Sequence, residues 1–373
     1  MLDKSVIINL LLALLVAAAV SFLSTPLVKN LAVKIGAVDV PKDDRRMHKT
    51  PIPRLGGLAI FFAFMLSVLL FVEIDQQLRG ILLGSVIIVI LGVLDDIYTL
   101  KAVPKFLVQI FAAVVVVLHG CTIQFLSNPN VFSASTYVNL GWIQYPLTVI
   151  WIVAITNAVN FIDGLDGLAV GVSAISTASQ LVIALLVAEG NIAVILAALL
   201  GACLGFIPYN LNPAKIFMGD TGSTFLGFIM ACLSILGLFK LYAVISFAVP
   251  FLILGVPIFD ICFAVTHRLA KGQNPMQPDR GHIHHRIIDM GFTQKQSVAI
   301  TYMLTAILGL CAVVLTTSGE MRALVLIGSI LLVGGIGVTM IFGKHRHHAA
   351  QQEDQLPAPK QDPEEIEEEI EDE

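Results

Sequence analysis

Acids, amides and histidines gather in a few short stretches between long apolar runs of this 373-residue chain. The first is Asp95-Asp96 in LGVLDDIYTLKAVPKF. A carboxylate pair at the end of an apolar run is costly unless water, a cation or a charged substrate meets it. The second is NAVNFIDGLDGLA, where Asn157, Asn160, Asp163 and Asp166 recur every three residues. That spacing puts neighbours on one helix face, and the interleaved Gly164 and Gly167 let backbone turn or approach a ligand closely. The third is Gly219-Asp220-Thr221-Gly222-Ser223, which reads as a helix start. Exposed amides at such a start favour a phosphate, with Asp220 placed to hold a metal against it. The fourth is DRGHIHHR, with Arg280, His282, His284, His285 and Arg286. No other His or Cys lies at zinc-finger spacing, so imidazole and guanidinium there suit an oxyanion better than zinc. A basic stretch at 40–57 adds Arg45, Arg46, His48, Lys49 and Arg54 before Gly56-Gly57.

Each stretch alone has a plainer reading: an interfacial pair, helix caps, or a topology signal. Together they offer oxygen ligands without thiolates, which indicates a hard cation, Mg²⁺ first and Mn²⁺ as an alternative. Mg²⁺ is typically held by one or two carboxylates plus substrate phosphates. Carboxylates, glycines and basic groups beside a membrane describe phosphoryl transfer involving a lipid. Nothing in the pattern recommends a nucleic acid as partner.

The elements that must position these residues are membrane helices. The chain is 57% hydrophobic and 13% charged, whereas soluble domains sit near 45–50% and about 25%. Apolar runs of the length needed to cross roughly 30 Å of hydrocarbon recur throughout. They predict an all-α, polytopic protein with about eleven spans, at 5–24, 55–73, 79–94, 105–122, 145–162, 168–187, 191–209, 223–239, 242–265, 298–317 and 322–343. The run from Val6 to Val20 lacks a basic segment before it and reads as the first span, not a cleaved leader. Loops on one side carry eighteen Lys/Arg against four on the other, so the basic side is cytoplasmic, with the N-terminus outside and the C-terminus inside. All the acidic and histidine motifs fall on that basic side. Pro250, Gly255 and Pro257 should kink or break the ninth span. Trp142, Tyr145 and Trp151 are placed as an interfacial aromatic belt. The five cysteines lack CxxC spacing and read as small buried hydrophobes. Residues 351–373 hold eleven acids and one lysine, so the net charge of −5 conceals +5 on residues 1–350. The domain reading is therefore 1–343 as the membrane domain and 344–373 as a disordered acidic cytoplasmic tail.

The motifs also resemble those of the polyprenyl-phosphate N-acetylhexosamine-1-phosphate transferases. The residues concerned are LDD at 94–96, Lys105 and Gln109 in KxxxQ, NAVNFIDGLDGL at 157–168, MGDTGS at 218–223 and HIHH at 282–285. The likeness runs over residues 5–343, and five motifs in order are far more specific than any one. It implies transfer of GlcNAc-1-phosphate from UDP-GlcNAc to undecaprenyl phosphate in a bacterial inner membrane, with Mg²⁺, at a site facing the cytoplasm. His284-His285-Arg286 departs from the three successive histidines of the phospho-N-acetylmuramoyl-pentapeptide transferases. That favours a simple N-acetylhexosamine, as do eleven spans rather than ten. The resemblance makes Asp95, Asp96, Asp163, His284 and His285 the catalytic candidates, with Asp95 a candidate base. Asp220, Asn160 and Asp96 become the metal candidates. Asn157, Asp166, Lys105, Arg280, His282, Arg286, Arg45 and His48 become substrate-binding candidates, with Asp166 on uracil. A homodimer is compatible with the sequence. A secondary transporter fits less well, because such sites lie near the midplane and follow repeats.

Overall fold

The computed structural model describes residues 3–41, 50–127, 137–237, 248–270, 282–317 and Gly328. Among the described residues, the compact unit Met1–Ile327 holds twelve α-helices. They are α1 Lys4–Lys34, α2 Gly57–Phe71, α3 Gln76–Tyr98, α4 Ala102–Leu118, α5 Gln144–Phe161, α6 Leu168–Leu186, α7 Gly190–Asn210, α8 Gly219–Gly237, α9 Ala248–Ile253, α10 Gly255–Ala270, α11 Ile283–Asp289 and α12 Gln294–Thr317. Seven are long and apolar enough to cross a membrane, and α2, α4 and α10 are shorter apolar helices. Ten of the expected spans thus correspond to helices, and the eleventh, 322–343, lies outside the described residues but for Gly328, as does the whole acidic tail. The protein is an all-α polytopic membrane protein. Two small antiparallel hairpins, β1 Val38–Asp39 with β2 Ile52–Pro53 and β3 Phe125–Ser127 with β4 Tyr137–Asn139, were not expected from the sequence.

α1 shows the residue pattern of a helix that faces lipid. Its buried positions are small or β-branched: Ala13, Ala17, Ser21, Thr25, Val28 and Ala32, four or three residues apart. Leu11, Leu15, Leu23 and Leu27 on the other side are exposed. Large apolar side chains outward and small ones inward is the membrane solution, since contact between helices there depends on close packing. A Cβ on Gly201 or Gly205 of α7 would come within 2.2 Å of a carbonyl of α1. α8 is the opposite case: every residue from Thr221 to Gly237 is buried. It packs against α2, α3, α5 and α6, and its own glycines allow this. A Cβ on Gly227 would meet Thr156 Cα at 2.7 Å.

The ninth span is broken at Leu254, between α9 and α10. Pro257 has no N–H for the carbonyl of Ile253. Ser176 of α6 fills that role, its Oγ donating to Ile253 O at 2.9 Å. The break is therefore satisfied from a neighbouring helix. The aromatic belt needs one correction. Trp142 and Tyr145 are exposed, but Trp151 is buried and donates Nε1–H to Ser234 Oγ at 3.1 Å. An indole with a hydrogen-bond partner inside the bundle gains nothing from the interface. Similarly, four of the cysteines are buried but Cys262 is exposed.

Candidate functional site

The sequence motifs converge where α3, α4, α5, α8 and α10 line one groove of about 760 Å³. At its polar end Lys105 Nζ donates to Asp95 Oδ2 at 2.7 Å and to Asp220 Oδ2 at 3.0 Å. Asp95 Oδ1 accepts from Leu100 N–H at 2.6 Å. Asn160 Nδ2 donates to Ser223 Oγ at 2.7 Å and reaches Asp220 Oδ1 at 3.2 Å. Four helices thus deliver Asp95, Lys105, Asn160 and Asp220 to one spot. Asn157 stands one turn deeper and donates to Gln109 Oε1 at 2.7 Å. Arg268 and His282 also line the groove, and Arg268 was not singled out by sequence. Away from this end the walls are apolar, with Phe106, Ile110, Val149 and Val153. They continue into a second cavity of about 270 Å³ that shares Ile150, Ala154 and Ile261 with the first.

Two expectations are corrected by geometry. Asp96 does not stand open beside the metal candidates. Its Oδ1 accepts from Asp220 N–H at 2.9 Å, and its Oδ2 from Thr221 N–H at 3.0 Å and Thr221 Oγ at 2.6 Å. Asp96 therefore caps α8 from α3, and the α8 amides expected to bind phosphate hold this carboxylate instead. A carboxylate stabilises those orphan donors and the positive helix end at once. Gly92, one turn before Asp96, permits the approach: a Cβ there would meet Thr221 Cα at 2.4 Å.

The second correction concerns the series of polar residues every three positions. Asn157 and Asn160 share the face of α5, but the helix ends at Phe161, so Asp163 and Asp166 sit in the turn between α5 and α6. Asp166 Oδ2 accepts from Asn212 Nδ2 at 2.9 Å and Ala214 N–H at 3.1 Å. It braces the segment between α7 and α8, and Asn212 also donates to Gln294 Oε1 at 2.9 Å at the start of α12. Tyr302 of α12 donates its hydroxyl to Gly167 O at 2.5 Å. Asp163 is half-buried, and burial, reinforced by the charges of Asp220 and Asp96, pushes its carboxyl up to about 8. Arg54 opposes that rise.

The first loop reaches the site through backbone. Phe217 N–H donates to Pro53 O at 2.8 Å, and Gly56 and Gly57 donate to the carbonyls of Phe217 and Met218 at 2.9 Å each. Arg54 pairs with Asp39 at 3.0 Å. Arg45, His48 and Arg280 lie outside the described residues. His284 and His285 lie on α11, but their side chains are outside the described set. Arg286 lies over the ring of Phe263, 4.2 Å from its centroid.

Sequence reasoning missed Asp260. This carboxylate of α10 is 1% exposed and is bonded to His282 Nδ1 at 2.8 Å and Ile283 N–H at 2.7 Å. An acid inside an apolar span was the available signal.

The donor set suits a hard divalent cation: Asp220, Asn160 and Asp95 bring oxygens and no thiolate. Among the described residues no three His, Cys, Asp or Glu side chains form a ligand cluster. A protein set this small matches a cation whose remaining ligands are water and substrate phosphate.

Residues 78–238 match the family model described as glycosyl transferase family 4. The chain is 43% identical over 319 residues to a probable undecaprenyl-phosphate N-acetylglucosaminyl 1-phosphate transferase of Bacillus subtilis, covering 85% of this chain and 88% of that protein. It is 34% identical over 352 residues to the decaprenyl-phosphate N-acetylglucosaminephosphotransferase of Mycobacterium tuberculosis, covering 86% of each. It is 30% identical over 287 residues to the undecaprenyl-phosphate alpha-N-acetylglucosaminyl 1-phosphate transferase of Escherichia coli, covering 75% of this chain and 77% of that one. With relatives matched over most of their length, the chain belongs to glycosyl transferase family 4.

Proposed function

We propose that this protein transfers GlcNAc-1-phosphate from UDP-GlcNAc to undecaprenyl phosphate, releasing UMP. The carrying observation is the groove itself, with carboxylates, an amide and Lys105 at one end and apolar helix walls at the other. Such a shape accepts a molecule that is anionic at its head and apolar along its length. An oxygen of the lipid phosphate attacks the sugar-bearing phosphorus of the donor, and the bond from that phosphorus to the UMP oxygen breaks. No C–O bond of the sugar changes. A phosphate monoester is largely ionised at neutral pH, so Asp95 is better placed to orient Lys105 than to remove a proton.

Asp220 and Asn160, with Asp95 beside them, would hold Mg²⁺. When bound, Mg²⁺ neutralises charge developing on the diphosphate oxygens. Lys105 supplies a cation toward the acceptor phosphate, while His282 and Arg286, with Arg280, His284 and His285, serve the donor diphosphate or sugar. Asp96 and Asp166 act by holding α8 and the segment before it. Asp163 supplies negative charge beside the metal residues once ionised. Arg45 and His48 belong to the loop that leads into the Pro53–Gly57 backbone contacts and are proposed substrate contacts. The site faces the cytoplasm of a bacterial inner membrane, the side that carries most of the Lys and Arg residues. Purified protein given undecaprenyl phosphate, Mg²⁺ and labelled UDP-sugars tests the sugar choice. UDP-GlcNAc should label the lipid fraction and UDP-MurNAc-pentapeptide should not; the reverse preference would overturn the assignment.

A further inference from the structure

The late His/Arg motif is separated from α10 by residues outside the described set, yet its helix is anchored on α10 at two points. One is Asp260 with His282 and Ile283. The other is Phe263, one turn along α10, under the guanidinium of Arg286. His282 stands at the N-cap position of α11 but makes no side-chain cap bond there. Asp260 serves instead, accepting from the first amide of α11 through Oδ1 while Oδ2 meets the imidazole. Phe161 of α5 lies against the same imidazole, ring centroids 5.7 Å apart. His282 is therefore held between the two walls of the groove.

We infer that Asp260 is a positioning residue that fixes the proton of His282 on Nδ1 and docks α11 against the groove. An ionised carboxylate only accepts hydrogen bonds, so Nδ1 must bring the proton. The other ring nitrogen, Nε2, then carries the lone pair in the neutral ring. Asparagine at position 260 is nearly the same size but has one oxygen. That oxygen keeps the Ile283 amide, leaving an NH₂ group opposite Nδ1. The contact survives only if His282 moves its proton to Nε2, the wrong tautomer. Loss of a carboxylate partner of this kind is known to act through the imidazole it orients.

The kinetic arm of the test rests on the transferase reading; the spectroscopic arm does not. Asp260→Asn should lower kcat/KM for UDP-GlcNAc by roughly ten- to a hundredfold, the size of one lost charge-assisted hydrogen bond. In a His282→Ala background the same substitution should change it by less than about twofold, because the residue through which it acts is gone. Losses that multiply in the double variant, or an unchanged Asp260→Asn enzyme, would overturn the inference. Nitrogen NMR of histidine-labelled wild-type protein, assigned by the signal lost in His282→Ala, needs no Asp260 variant to fold. With the ring neutral, the proton should reside on Nδ1, and a proton on Nε2 would overturn the inference. If the protein shows no sugar-phosphate transfer but His282 carries Nδ1–H, the functional reading fails and Asp260's role stands.

Discussion

The two walls of the groove are built by different means. The wall made by α3, α4, α5 and α8 is locked at many points. Asp96 ties α3 to α8, Lys105 links Asp95 with Asp220, and Asn160 joins α5 to Ser223. Glycines let the backbones touch: a Cβ on Gly57 would come within 2.1 Å of Gly222 N. The opposing wall starts beyond a helix break: α10 packs on α5 and α12, and α11 is joined to α10 through Asp260 and Phe263. The proposed metal-binding end needs fixed oxygens, because transition-state stabilisation depends on charges that do not reorganise. On the proposed function, the cross-linked wall serves the phosphate chemistry and α10 with α11 the donor side.

The comparison is broken most severely at Asp220. Asp220→Ala should cost on the order of 10²–10³ in kcat while the protein stays folded, since the Lys105–Asp95 pair survives and no core volume is lost. Near-normal turnover at saturating Mg²⁺ would remove Asp220 from the metal set. On the same wall Gly57→Val should lower the thermal midpoint in detergent, because the side chain must push α2 off α8. Overpacking of this kind typically costs about 1–3 kcal/mol. An unchanged midpoint would show that the α2–α8 contact is not as close as described.

On the donor wall Phe263→Ala should raise KM for UDP-GlcNAc several-fold and leave the dependence on undecaprenyl phosphate alone. An exposed to partly buried cation–π contact is worth about 0.5–2 kcal/mol. Weakening of the lipid acceptor alone would mean that the donor and acceptor ends are reversed.

Asp163 gives a pH signature for the rigid wall. Its folded carboxyl is pushed up to about 8 from an ordinary value of 3.8. The folded state therefore binds this proton more tightly than the unfolded chain, so Asp163's contribution to stability declines as pH rises from about 4 to about 8. A divalent cation favours the ionised form, so stabilisation by Mg²⁺ should grow with pH over that window and shrink in Asp163→Asn. Mg²⁺ shifts of the thermal midpoint that are flat with pH in both proteins would contradict it. The smallest effect is expected from deleting 351–373, which should leave activity within about twofold because an acidic, proline-containing segment buries no core. A large loss in the inserted, truncated enzyme would reveal a role for it.

Much of this arrangement was legible in the sequence because the bilayer imposes segment length. Ten of the expected apolar segments coincide with described helices, and Pro250, Gly255 and Pro257 gave away the break. Asp95, Lys105, Asn160, Asp220 and His282 were legible as motifs. The roles of Asp96 and Asp166 were not, because a carboxylate that caps a distant helix or braces a loop is spelled like one that binds a ligand. Only the folded chain shows whose amides it meets. Asn212, Gln294 and Tyr302 obey no periodic spacing, Asp260 stands singly among apolar neighbours, and Arg268 reads as one more basic residue at a span end. Trp151 was misread because its position along α5 said nothing of the helix face that carries it.

The product nucleotide tests the central claim most directly. Protein in detergent, given UDP-GlcNAc, undecaprenyl phosphate and Mg²⁺, should release UMP in step with formation of a lipid pyrophosphoryl sugar. Release of UDP would mean that the sugar–phosphate C–O bond was cut and the sugar transferred alone, contradicting the account.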